Sequence, residues 1–263
     1  MIIKNKEPVA YPSTSFVTGI PMSGLVALWD AGIAASHPGT GTSLKNLVAA
    51  PADGSAQTAY DLTTSGLTFN GTAGRRSPGD FLQSNGASRA LVAANTVFSN
   101  SLHKATAAFT LLCCVQVPSV GAYETLCSTR PPLANSIGIS VFIAPSGALE
   151  FGVNNGSGYV ILSTAPFGAI TTGVPHFIAL SFANGSGGRW CLDGASSTFA
   201  TSYASPTASD AAQALMFSAQ DTSSANPLPA GSRVFSTALW NRALSKEELD
   251  QAFDALRGRW PGL

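Results

Sequence analysis

The chain has 263 residues, 45 % hydrophobic and only 11 % charged, with Lys+Arg and Asp+Glu both at 14 and no formal net charge. The missing basic excess excludes a binder that neutralises nucleic-acid phosphates. The apolar content is too high for a disordered chain, and no run of 18 apolar residues could cross a membrane as a helix.

Residues 1–22 carry Pro8, Pro12 and Pro21 among small and polar residues. Proline fixes φ and favours extended backbone, so this segment is predicted to be an arm outside the main body, residues 23–263. Ile2, Ile3, Val9, Tyr11, Phe16 and Val17 would be its apolar anchors on a neighbouring subunit. Met1–Glu7 lacks the apolar stretch of a secretory signal, so synthesis in a cytosol is expected.

Leu25–Asp30 is predicted to be the first strand, followed by a turn-rich stretch over 31–59. Leu67–Asn70 and Asp80–Gln83 read as short strands, and 84–106 as irregular with one helical turn near Leu91. In Phe109–Val117, residues Phe109, Leu111, Cys113, Val115 and Val117 share one wholly apolar face, the pattern of a long sandwich strand. Further strands are predicted at Tyr123–Ser128, Gly138–Ile143, Ala148–Val153, Tyr159–Ser163, His176–Phe182, Arg189–Leu192, Leu215–Ala219 and Ser232–Trp240. Asn- and Gly-rich turns separate them, which argues for an antiparallel all-β sandwich. A single helix closes the chain. Ser245 and Glu248 form a capping box, Leu244 and Leu249 a hydrophobic staple, and Leu249, Ala252, Phe253 and Leu256 one apolar face, with Gly258 as the stop.

Cys113 and Cys114 are adjacent and point to opposite faces of their strand. With Cys127 and Cys191 they read as buried reduced thiols, and a Cys113–Cys127 or Cys114–Cys127 bridge is the alternative.

Five segments in order resemble the laminin-G-like, concanavalin A-like jelly rolls. Gly24–Asp30 (GLVALWD) resembles the opening strand and Gly79–Ser84 (GDFLQS) an early one. Phe109–Pro118 resembles the aromatic-Thr-hydrophobic strand, Val174–Gly194 the central hairpin with its leading His and closing Asp-Gly, and Arg233–Leu249 the closing strand and helix. The opening also resembles laminin-G-like proteins of tailed bacteriophages. That resemblance implies a virion component assembled in the host cytoplasm. A capsid decoration protein is the expected role, held by its arm to other virion proteins and oligomeric, with a trimer fitting threefold sites. The alternative is a tail fibre or appendage module that binds host-surface glycans.

Retaining glycosidases need two carboxyl groups about 5–5.5 Å apart. The one Glu-x-Asp, Glu248–Asp250, falls on the helix, where i and i+2 do not face each other. Glu124 and Glu150 stand alone on separate strands, and no nucleophile elbow or phosphate-binding loop occurs. The chain is therefore expected not to be an enzyme and to need no cofactor. Asp53, Asp61, Asp80 and Asp221 would be the donors if calcium bound, but they read as turn and cap residues, so no metal is expected. His37, His103 and His176 read as structural. Sugar binding needs aromatic faces and amides. The turn Asn154–Tyr159 offers both, with Trp190 on a nearby strand, so Asn154, Asn155, Tyr159 and Trp190 are the predicted carbohydrate site.

Overall fold

The computed structural model describes residues 19–71 and 79–260. The predicted anchors Ile2, Ile3, Val9, Tyr11, Phe16 and Val17 lie outside the described residues. The described residues form strands β1 (Leu25–Asp30), β2 (Ser43–Leu44), β3 (Leu62–Asn70), β4 (Phe81–Val92), β5 (Ala108–Gln116), β6 (Glu124–Ser128) and β7 (Gly138–Ile143). There follow β8 (Leu149–Asn154), β9 (Tyr159–Thr164), β10 (Pro175–Ala183), β11 (Gly187–Leu192), β12 (Ala195–Phe199), β13 (Met216–Phe217), β14 (Arg233–Trp240) and helix α1 (Lys246–Arg257).

The strands pair antiparallel into two layers. One runs β12-β11-β10-β5-β14, with β1 added on β14; the other runs β4-β13-β6-β7-β8-β9, with β3 and β2 beyond β4. Among the described residues the layers join where Val234 and Arg233 of β14 pair with Leu82 and Gln83 of β4. Between them lies the main core. Phe109, Leu111, Cys113, Val115 and Val117, the predicted face, all belong to it, and Phe109 meets Phe151 of the other layer at 5.9 Å. The alternate residues Leu112 and Cys114 enter a second cluster on the outside of the first layer, under α1. This is the sandwich expected from the strand pattern.

The first and last described residues cover that second cluster. Ile20 is buried in it, and the Pro21 carbonyl accepts a hydrogen bond from Trp240 Nε1 at 2.7 Å. The capping box forms as predicted: the Glu248 N–H donates to Ser245 Oγ and the Ser245 N–H to Glu248 Oε2. Ser245→Ala should cost about 1 kcal/mol in urea denaturation, the usual worth of such a cap. Gly258 ends the helix with φ −75°, so it stops α1 without the left-handed turn its identity suggested.

Three readings need correction. Residues 84–92 are not irregular and hold no helical turn near Leu91; they continue β4 to twelve residues. Their inward positions include Ser84 and Ser88, which bury their hydroxyls by bonding each other at 2.8 Å. Polar residues on a core face erase the alternation that marks a strand. Second, β12 was missed because Ala195–Phe199 is an edge strand that packs on one side only. Third, β3 begins at Leu62, not Leu67, with a register shift between Ser65 and Leu67 interrupting the pattern. All four cysteines are buried and free, and burial pushes the Cys113 thiol up to about 12.

Candidate functional site

The outer face of β6–β9 carries the site. In β8, Leu149, Phe151 and Val153 face the core, so Glu150, Gly152 and Asn154 face outward. The register adds Phe142 opposite Glu150, Ser140 opposite Gly152 and Tyr159 opposite Asn154. Gly152 is the necessary gap. A Cβ there would lie 2.2 Å from the Tyr159 hydroxyl, so the Tyr159 ring lies across β8 at its one bare position.

Two loops rise over this face. The loop after β6 is folded back by Ser136, whose hydroxyl donates to the Pro131 and Leu133 carbonyls. The same loop fixes Arg130: Nε donates to Ser136 O and Oγ, and Nη2 to Leu133 O at 2.8 Å. The guanidinium carbon stands 4.7 Å from the Tyr159 ring centroid. The second loop, Gln220–Asn226, is closed by Asp221, which accepts the N–H groups of Ser223 and Ala225. Asn226 Nδ2 donates to Gln220 Oε1 at 2.6 Å, and its carbonyl accepts the Thr125 N–H.

Between the loops lies a cleft of about 330 Å³. Phe142 and Tyr159 line it, Tyr123 flanks it with 42 % of its surface exposed, and Arg130, Gln220 and Asn226 supply polar groups. The Tyr123 ring meets Phe142 edge-on at 5.4 Å. Buried side-chain oxygens in and under the cleft, Tyr159 Oη, Thr125 Oγ1 and Glu150 Oε2, have no hydrogen-bond partner among the described residues. Burial raises the Tyr159 pKa, the Arg130 charge opposes it, and the Glu150 charge raises it further, so Tyr159 stays a neutral donor. Aromatic faces, amides and unspent polar atoms together can hold a polar ligand with apolar faces.

Only Tyr159 of the predicted site residues stands in this cleft. Asn154 is fully buried; its amide donates to the Ala134 carbonyl and its Oδ1 accepts the Gly156 N–H, so it builds the turn. Asn155 turns instead to a separate apolar cavity of about 140 Å³, beside His103 and Tyr203. Trp190 is corrected outright: it is 1 % exposed, in the core, with Nε1 donating to Ser163 Oγ. No ring face remains there for a sugar. The residues that sequence reasoning missed include Tyr123, Arg130, Phe142, Gln220 and Asn226 in the cleft and Gly152 beneath Tyr159. Gly152 carried the one readable signal, a glycine inside a strand, which marks a close approach.

The remaining titratable residues hold the fold. His176 Nδ1 lies 2.6 Å from Asp193 Oδ2 and its Nε2 lies 2.8 Å from the Thr171 carbonyl. Burial alone would lower its pKa, but these bonds raise it, and the pair ties the ends of the β10–β11 hairpin. His37 stacks on Phe69, and His103 Nε2 bonds the Ser209 carbonyl. Asp53 bonds Ser55 and Tyr60, Asp61 pairs with Lys45, and Asp221 closes its own turn. Among the described residues no three His, Cys, Asp or Glu gather as metal ligands. Glu124 faces the core opposite Ile143, whereas Glu150 faces outward opposite Phe142, with β7 between their strands. Those two carboxyl groups therefore do not form a pair.

Comparison with known proteins gives a likeness of fold. A mutant of Trypanosoma rangeli sialidase displaying trans-sialidase activity superposes with TM-score 0.61 at 14 % identity, over 92 % of this chain and 34 % of that one. The binding domain of Paraclostridial Mosquitocidal Protein 1 gives 0.57 at 13 %, over 88 % and 52 %. The binding domain of botulinum neurotoxin DC in complex with SialylT gives 0.57 at 11 %, over 89 % and 52 %. No family model and no curated protein matches the chain. The chain thus spans about a third of the sialidase and half of the toxin chains. It has a lectin-like β fold, shared with an enzyme and with binding domains alike, and fold alone does not choose between them.

Proposed function

We propose that this chain is a glycan-binding module and that the Tyr123–Arg130–Tyr159 cleft is its site. One observation carries the reading: the Tyr123, Phe142 and Tyr159 rings, the Gln220 and Asn226 amides and the Arg130 guanidinium converge in a cleft of about 330 Å³. Apolar sugar faces stack on rings, and hydroxyls satisfy the polar atoms. Two of the fold neighbours support it, since one is a Trypanosoma rangeli sialidase in complex with sialic acid and the other a toxin binding domain with SialylT. The sequence expectation of a capsid decoration protein has no support from these neighbours. A virion appendage, joined to its particle through residues 1–22, remains the proposed setting for the module.

The test is a glycan array followed by calorimetric titration of each hit. Tyr123→Ala should weaken binding by about 1 kcal/mol, roughly fivefold, because its half-exposed ring offers a stacking face without bracing the core. Absence of binding to every glycan would overturn the reading.

A further inference from the structure

We infer that the glycan held in this cleft is acidic, with a sugar carboxylate bound by Arg130; this rests on the glycan-binding reading. Two arginines are buried among the described residues, Arg130 and Arg259. They are treated differently. Arg259 Nη2 lies 3.0 Å from a carboxylate oxygen of Asp30. Arg130, 4 % exposed, has no carboxylate within ion-pair distance among the described residues. Its hydrogen bonds go to neutral acceptors, Ser136 O, Ser136 Oγ and Leu133 O. A buried guanidinium without an anion keeps a large desolvation cost that carbonyls offset only in part.

The geometry leaves one edge of the fork free. Nε and Nη2 are spent on the loop, while Nη1 makes no hydrogen bond with the described residues. Nη1 and the second hydrogen of Nη2 form the edge that accepts a carboxylate with two parallel bonds. Three features hold this edge in place. Tyr159 stacks on the guanidinium, Gly152 lets Tyr159 lie flat, and Ser136 fixes the loop. A hydroxyl could bond here too, but a charge-assisted bond is about twice as strong and also cancels the buried charge.

The experiment uses the full chain and oligosaccharides ending in a uronic or sialic acid, each matched with the same molecule carboxyl-reduced to the alcohol. Sulfated oligosaccharides form a third arm. Acidic members should bind, and reduction should weaken binding roughly tenfold, the loss of one charge-assisted pair. Arg130→Gln should abolish the difference between each acid and its reduced partner, and Arg130→Lys should restore part of it. If Arg130→Gln fails to fold, the wild-type comparison of acid with alcohol decides alone. Equal binding of acid and alcohol would overturn the inference and leave the glycan reading standing. Binding confined to sulfated members would overturn the carboxylate assignment. No binding in any arm would end both.

Discussion

Arg259→Ala should destabilise the fold by about 3–5 kcal/mol, the largest effect expected of any single side chain outside the hydrophobic core. Asp30 ends β1 with none of its surface exposed. Its Oδ1 accepts the Gly32 N–H at 2.8 Å and Arg259 Nη2 at 3.1 Å, and that same nitrogen lies 3.0 Å from Oδ2. Burial raises the Asp30 pKa, and the Arg259 charge and hydrogen bond oppose that rise. Deleting Arg259 removes the opposition and leaves a carboxylate buried alone. A folded pKa raised further above the unfolded value means the folded state holds its proton longer. The deficit should therefore grow as pH rises above the carboxylate range and shrink toward pH 4. Asp30→Asn in the Arg259→Ala background should recover part of the loss at neutral pH, since a neutral amide costs less to bury. For a chain of this size the single change corresponds to a drop of about 10 °C in Tm. Urea unfolding of the four members of the cycle at two pH values gives the coupling directly. A loss under about 1 kcal/mol would mean the pair contributes no more than a surface bridge.

The same contrast explains what could be read from the chain. Phe109–Val117 was legible because every second residue is apolar, and both of its faces are buried, in two different clusters. The helix was legible because Ser245, Glu248, Leu244 and Leu249 each act through local geometry. The His176–Asp193 brace joins residues that the jelly-roll resemblance had already placed at the ends of one hairpin. β4 beyond Gln83 was illegible because Ser84 and Ser88 occupy core positions by satisfying each other and the Leu228 carbonyl. The cleft was illegible for another reason. Its parts come from the segments flanking β6, from β7, β9 and a loop before β14, and nothing local marks Arg130 as stacked on Tyr159. Asn154 and Trp190 have the right chemistry for sugars, but an amide or an indole in a strand is spent wherever a backbone carbonyl or a core void needs it. Turn composition records which groups exist, not which are left over.

Glu124→Gln should flatten the pH dependence of stability between about pH 4.5 and 7. Glu124 is 3 % exposed, on the core side of β6, and its Oε2 has no partner among the described residues. Burial pushes its carboxyl from the ordinary 4.5 up to about 7. Between those values the folded protein keeps a proton that the unfolded chain has lost, so stability is full below pH 4.5 and declines as pH rises through 7. The loss available is at most about 3 kcal/mol, from 1.36 kcal/mol per pKa unit. Gln cannot ionise and matches the protonated acid in size. The variant should therefore equal the wild type within about 0.5 kcal/mol at pH 4, apart from one exchanged hydrogen-bond donor, and exceed it by about 2 kcal/mol at pH 8.5. Parallel stability profiles for the two proteins, by urea denaturation at half-unit steps of pH, would show that the carboxylate reaches water when it ionises. Divergence that grows from about pH 4.5 and levels off above about pH 7 would place the ionising proton on Glu124, because the substitution removes that group and leaves the strand pairing of β6 intact.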